Sequence, residues 1–254
     1  MKLTRKDFLR VLAGSAVAVG AGTLVHAVGS ANDRESAEAK NGKKRWGMAI
    51  DLQKCREEKG CDLCSRACHR SHNVPRLPDP AHEVKWLWNE PNGKVFPFQQ
   101  NDYTRHALGE TVPVLCNHCT NPACVRVCPT QATWKRGDGV VMMDYHRCIG
   151  CRYCMAACPY GSRSFNYVDP RPHLGAPNPD FPPRTAGVVE KCNFCEERLA
   201  DGKQPACVEA CPRNAMVFGD LNDGNSPIRQ LLSGRYAVQR QPELGCGPSI
   251  FYLV

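Results

Sequence analysis

Cysteine carries the chemistry of this sequence. Sixteen of its seventeen cysteines fall into four groups of four. The tightest is Cys148-Ile-Gly-Cys151-Arg-Tyr-Cys154-Met-Ala-Ala-Cys158-Pro159, a C-x2-C-x2-C-x3-C-P run. Three thiolates so close together converge on three corners of one [4Fe–4S] cubane if the backbone curls tightly, and Gly150 permits the close approach. The proline stops the turn and leaves Cys158 pointing away, toward a second cubane. Cys116, Cys119, Cys124 and Cys128-Pro129 read C-x2-C-x4-C-x3-C-P, and Cys192, Cys195, Cys207 and Cys211-Pro212 read C-x2-C-x11-C-x3-C-P. Cys55, Cys61, Cys64 and Cys68-His69 read C-x5-C-x2-C-x3-C, with histidine in place of proline. Four such sets, three of them closed by Cys-Pro, predict four [4Fe–4S] clusters.

Other cysteine chemistries fit less well. Disulfide scaffolds are mostly shorter and have no reason to repeat C-x3-C-P. A zinc site takes four ligands, and crowding three of them into C-x2-C-x2-C suits a cubane better. Covalent haem needs C-x-x-C-H, whereas Cys64-Ser-Arg-Ala-Cys68-His69 has three intervening residues. Cys246, in Leu-Gly-Cys-Gly-Pro, is left over and reads as a free thiol.

The chain repeats itself. Pro122-Ala-Cys124-Val-Arg-Val-Cys128-Pro-Thr-Gln-Ala132 matches Pro205-Ala-Cys207-Val-Glu-Ala-Cys211-Pro-Arg-Asn-Ala215, and Asp51-Leu-Gln-Lys54-Cys55 matches Asp144-Tyr-His-Arg147-Cys148. The runs resemble those of bacterial two-cluster ferredoxins, in which the fourth cysteine of one run ligates the other cluster. The resemblance implies an α+β fold of tandem duplicated ferredoxin-like units, with long loops and little regular secondary structure. The short connection from Cys128 to Cys148 favours groups two and three as one unit, residues 116–158, with groups one and four (55–68 plus 192–211) as the other. The ferredoxin rule then gives the sets Cys116, Cys119, Cys124, Cys158; Cys148, Cys151, Cys154, Cys128; Cys55, Cys61, Cys64, Cys211; and Cys192, Cys195, Cys207, Cys68. Pairing group one with two and three with four is the alternative.

The elements that must present these loops are short. Trp46 to Asp51 and Val140 to Asp144 read as strands leading into cluster loops. Ala132 to Arg136 pairs with the latter around Gly137-Asp138-Gly139, and Ala215 to Gly219 is the equivalent strand of the other unit. Helical turns are expected after the C-x3-C-P ends and over Cys195 to Asp201. Asp169 to Pro183, rich in proline, reads as a loop that packs on a partner or simply connects. The insertion Arg70 to Leu115 carries Trp86, Trp88, Phe96, Phe98 and Tyr103, which predict a local core.

Ahead of the globular part, 46–254, lie a segment 1–31 and a polar linker 32–45. Lys2, Arg5, Lys6 and Arg10 precede an apolar stretch from Val11 to Val28, and Val25-His26-Ala27 is a small-residue cleavage pattern. Thr4-Arg5-Lys6-Asp7-Phe8-Leu9-Arg10 resembles a twin-arginine export signal with lysine in the second arginine position; a retained anchor is the other reading. Folded export suits clusters inserted in the cytoplasm. The net charge of +8 does not point to nucleic acid. Four oxidised clusters, each about −2 with its thiolates, supply about −8. Basic residues beside the ligands, among them Arg126, Arg147, Arg152 and Lys191, are placed to balance cluster charge, and His118 and His146 also flank ligands. No phosphate loop, dinucleotide fingerprint or nucleophile elbow is present, so the sequence offers a conduit rather than a catalytic pocket.

The chain resembles the four-cluster ferredoxin-like subunits that partner a quinone-reactive membrane protein in bacterial respiratory complexes. Val114-Leu-Cys116-Asn-His118-Cys119, Cys124-Val-Arg-Val-Cys128-Pro-Thr-Gln-Ala-Thr-Trp134-Lys and Met142-Met-Asp-Tyr-His-Arg-Cys148-Ile-Gly-Cys151-Arg are similar to the DsrO-type branch, associated with dissimilatory sulfite reductase. Val189-Glu-Lys-Cys192-Asn-Phe-Cys195 and Phe218-Gly-Asp-Leu-Asn-Asp223 agree. Lys6 and Cys246 depart from that pattern. The resemblance implies a periplasmic electron-transfer subunit in a hetero-oligomeric complex, with a polytopic quinone-binding membrane subunit and a multihaem cytochrome c subunit. The electron-transfer subunit of a molybdopterin oxidoreductase is the competing reading, and a disulfide- or zinc-stabilised extracellular binding module is a third.

Overall fold

The computed structural model describes residues 44–58, 60–99 and 108–254. The segment 1–31 read as an export signal or anchor, the linker up to residue 43, and Tyr103 lie outside the described residues. Strand β1 (Trp46–Asp51) is buried on both faces, which is why Gly-Met-Ala-Ile runs without polar alternation. Met48 and Ile50 enter the larger core, and Ala49 enters a smaller one with Leu221, Ile228 and Leu253. The sheet order is β8 (Met216–Asp220), β1, β10 (Ile250–Leu253), β9 (Ala237–Val238). β1 runs antiparallel to β8, with Met48 opposite Phe218, and parallel to β10, with Met48 opposite Ile250. Helix α8 (Pro227–Gly234), capped by Ser226, covers the smaller core through Ile228.

A second pair, β4 (Thr133–Lys135) and β5 (Val141–Met143), forms the expected antiparallel hairpin, with Gly139 at φ +86 in its turn. The internal repeat now has a structural meaning. Asp51 N–H donates to Ala215 O and Asp144 N–H to Ala132 O, each at 2.7 Å. Asp51 Oδ1 accepts from Gln53 and Lys54 N–H at 3.1 Å, and Asp144 Oδ1 accepts from His146 at 2.9 Å and Arg147 at 3.3 Å. The repeated aspartate therefore caps the turn that delivers Cys55 in one place and Cys148 in the other.

The helical turns lie inside the C-x3-C spacings, which corrects the expectation that they follow the Cys-Pro ends. They are α2 (Leu63–Ser71), α4 (Ala123–Arg126), α5 (Tyr153–Ala156) and α7 (Ala206–Glu209). Pro122 and Pro205 open α4 and α7, and the residue before each closing proline is held out of the helical region, so the turn must end first. Helix α6 (Glu196–Ala200) falls within the predicted Cys195 to Asp201 segment.

In the insertion, β2 (Leu87–Pro91) pairs with β3 (Thr111–Leu115), and Trp86, Trp88 and Phe96 join the larger core. Phe98 does not: it is 81% exposed, on a 3-10 turn without buried residues. The proline-rich loop packs on its own chain. Asn73 and Asn178 exchange hydrogen bonds of 2.9 and 2.7 Å, and Phe181 meets His72 edge-on at 4.8 Å. Among the described residues no helix is long and apolar enough to cross a membrane.

Candidate metal centres

Each thiol set is assembled from distant segments. Burial raises the Cys55 thiol, and Cys211 and Cys61 add to the effect. Burial likewise pushes Cys64 up to about 12, with Cys55, Cys61 and Cys211 beside it. Cys68, buried at the end of α2, is raised first by desolvation and then by Cys192, Cys195 and Cys207. Cys119 is raised by desolvation, with Cys116, Cys246, Cys124 and Cys158 around it. Cys128, Cys148, Cys151 and Cys154 line one small cavity with Thr130, Met143 and Val189. These four gatherings are termed sites one to four: Cys55/61/64/211, Cys68/192/195/207, Cys116/119/124/158 and Cys128/148/151/154.

The local backbone explains the presentation. Gly150, at φ +69, brings its Cα so near the Gly187 carbonyl that an added Cβ would lie 2.4 Å from that oxygen. Backbone N–H groups point at sulfur: Phe194 N donates to Cys192 Sγ at 3.4 Å, Ala206 N to Cys195 Sγ at 3.4 Å, and Ala215 N to Cys211 Sγ at 3.2 Å. Arg163 Nη2 donates to Cys124 Sγ at 3.1 Å and to Thr133 Oγ1 at 2.8 Å. Such donors favour thiolate sulfur.

The donor set fits a polynuclear cluster. All seventeen cysteines are described and none is joined in a disulfide. A tetrahedral zinc with Zn–S near 2.3 Å needs sulfurs about 3.8 Å apart. Among the described residues no three cysteine sulfurs gather within 4.8 Å; the one group at that spacing is His72, Cys195 and Glu197. There His72 Nε2 lies 2.8 Å from Glu197 Oε1, so both side chains serve the surroundings of site two. Sulfur-only donors, spread beyond single-ion spacing and met by N–H groups, match iron–sulfur ligation.

Of the basic residues singled out in the sequence, only Lys191 is buried; Arg126, Arg147 and Arg152 are exposed. His118 is buried and accepts from Val141 N–H at 3.0 Å, whereas His146 is exposed. Two buried arginines, Arg163 and Arg240, escaped the sequence reading because neither adjoins a cysteine. Tyr160, two residues past Cys158, gave no local signal either.

Fold and sulfur geometry thus define an iron–sulfur protein, and comparison with known proteins agrees. The sequence matches the family described as 4Fe-4S dicluster domain over residues 108–169 and 181–221. It is 39% identical, over 98% of this chain and 97% of the other, to the Hdr-like menaquinol oxidoreductase iron-sulfur subunit 1 of Archaeoglobus fulgidus. It is 39% identical to the iron-sulfur cluster-binding subunit of menaquinone reductase from Nitratidesulfovibrio vulgaris, over 82% of this chain and 88% of that one. With a subunit of polysulfide reductase from Wolinella succinogenes it shares 35% identity, over 82% of this chain and 93% of the other. The chain belongs to this family of iron–sulfur subunits, which carry [4Fe–4S] clusters in ferredoxin-like dicluster domains.

Proposed function

We propose that the chain relays electrons through four [4Fe–4S] clusters, held at sites one to four by the sixteen cysteines, within a respiratory complex. A bound [4Fe–4S] cluster takes up and returns one electron. The observation that carries the reading is the order of the sites. Cys64 of site one adjoins Cys68 and Cys207 of site two. Cys192 of site two adjoins Cys116 of site three, and Cys124 of site three adjoins Cys154 of site four. Each site neighbours the next, as a tunnelling path requires, because electron transfer falls off steeply with distance. The hairpin β4–β5 ties group two to group three, and the β8–β1 pair ties group four to group one, which supports two ferredoxin-like units. Cys151 is the one exposed cysteine, so site four offers sulfur closest to solvent.

The partners are a quinone-reactive membrane subunit and other redox subunits. On the DsrO-type resemblance the proposal extends to a multihaem cytochrome c partner, a periplasmic location and a part in sulfur or sulfite respiration. The likeness to the polysulfide reductase subunit favours a second reading, the equivalent subunit of a molybdopterin oxidoreductase. The native complex, purified from membranes, tests both: a cytochrome c beside the polytopic subunit supports the first, and a molybdopterin protein supports the second. Periplasmic export is tested by fusing residues 1–31 to a reporter, which reaches the periplasm only while the twin-arginine route works.

A further inference from the structure

Eight buried side-chain polar atoms have no hydrogen-bond partner among the described residues, and six of them belong to Asn117, His118, Tyr160 and Arg240. Asn117, His118 and Tyr160 border site three, and Arg240 reaches it through Tyr160. Asn117 and His118 lie between Cys116 and Cys119, and the Tyr160 hydroxyl lies against Cys119 and Cys246. The Arg240 guanidinium sits 5.4 Å over the Tyr160 ring, and its Nη2 donates to Tyr160 O at 3.3 Å. Three of the six atoms are donors that no neighbour satisfies, Asn117 Nδ2 and Arg240 Nε and Nη1; His118 Nδ1 accepts from Val141 N–H, so its proton is on Nε2, which faces the Cys192 carbonyl, and the Tyr160 hydroxyl faces Cys246. A buried donor left unpaired forfeits its water without recompense. Three on one side of a thiol set call for an acceptor there.

Charge makes the same demand. Lys191, Arg163 and Arg240 are 1%, 4% and 4% exposed. Among the described residues none has a carboxylate within ion-pair distance. Lys191 Nζ donates to the carbonyls of Val141 and Cys192, and Arg163 to Cys124, Thr133 and Met143. Arg184, equally buried, faces Glu190 at 3.5 Å, so this fold does pair a buried cation where no thiol set stands beside it. Uncompensated buried cations are expensive, and a compact anion among them removes the penalty. Four thiolates around a cluster carry a net negative charge. Elsewhere the balance differs: buried Asp51 adjoins Cys55 at site one, and Glu197 adjoins Cys192 and Cys195 at site two.

We infer that Arg163, Lys191, Arg240 and the unpaired amide of Asn117 stabilise the reduced cluster at site three, making it the most readily reduced of the four and the electron sink of the relay. Cations and hydrogen bonds to sulfur raise a cluster's reduction potential, because the added electron enters a more positive surrounding. This rests on the four-cluster reading. Its consequence is that an electron arriving from either end of the chain comes to rest in the interior, away from exposed Cys151.

The test is a reductive titration of the anaerobic holoprotein followed by paramagnetic resonance, with iron counted in every sample. The expected result is that Arg163→Gln and Arg240→Met each lower the highest of the cluster potentials. The shift should be at least a tenfold change in the reduced-to-oxidised ratio at fixed poise, about 59 mV for one electron. The lowest two potentials stay in place, and Arg163→Lys, which keeps the charge, restores most of the shift. Arg240→Met touches no thiol and carries the test if Arg163→Gln loses iron. A highest potential that both substitutions leave unmoved overturns the inference while the clusters stand. Wild-type protein without iron overturns the cluster reading itself, and this inference with it.

Discussion

Site three is backed by buried cations that have no carboxylate partners, whereas site one is bordered by ion pairs that lie mostly at the surface. Arg163 touches Cys124 directly, and Lys191 is fully enclosed one residue before Cys192. Around site one, Arg213 bridges Glu57 at 3.8 Å and Glu58 at 3.1 Å, all three at the surface, and Arg235 pairs with Asp51. Both sites collect three thiols from one run and a fourth from another. The difference lies in what the rest of the chain brings to them. Arg163 arrives just before β6 (Ser164–Phe165), Lys191 just after β7 (Val189–Glu190), and Arg240 from the segment between β9 and β10. One ligation pattern can therefore serve sites of unlike potential, because cysteine spacing sets the ligands and tertiary structure sets the field.

The largest expected difference is in resistance to chelation. An iron chelator under anaerobic conditions should strip the more accessible sites one and four before site three, with interior loss slower by about tenfold, since release there requires opening of the core. Loss of all signals at one rate would erase the comparison. Next, Lys191→Met removes a buried donor from the carbonyls of Val141 and Cys192 and should cost about 2–4 kcal/mol, read as a lower denaturation midpoint of the holoprotein. At site four, where Arg163 also faces Cys154, backbone apposition adds to charge. Gly150→Ala, at φ +69 and facing Gly187 O, should cost about 2 kcal/mol and weaken that site's signal. Gly161→Ala, at φ +65 with nothing within 4 Å, should cost about 1 kcal/mol, from backbone strain alone. The smallest effect belongs to site one: Arg213→Ala breaks only exposed pairs and should change stability by less than about 1 kcal/mol.

What the sequence revealed was local and repeated. Trp46 to Asp51 was legible as a strand because its apolar run ends at an aspartate that recurs as Asp144, and both aspartates cap the following turn. The β4–β5 hairpin was legible from Gly137-Asp138-Gly139 between short apolar runs. The parallel neighbour of β1 was not legible, since β10 reaches it from the far end of the chain. Helices were expected beyond the Cys-Pro pairs, but proline stops a helix that has already formed between the third and fourth cysteines. Arg163, Tyr160 and Arg240 left no spacing signal, because their relation to site three exists only after folding. Cys246 stood out only as an unmatched cysteine, and packing places it beside Cys119.

The most direct measurement is iron and acid-labile sulfide per chain in anaerobically purified protein, with zinc determined on the same sample. Four cubanes on sixteen cysteines predict about sixteen irons and about sixteen sulfides with no stoichiometric zinc. A reproducible value of about twelve in intact protein would contradict the count of four, with site one the first suspect because Cys55 is set off from Cys61 by three residues more than a C-x2-C pair has.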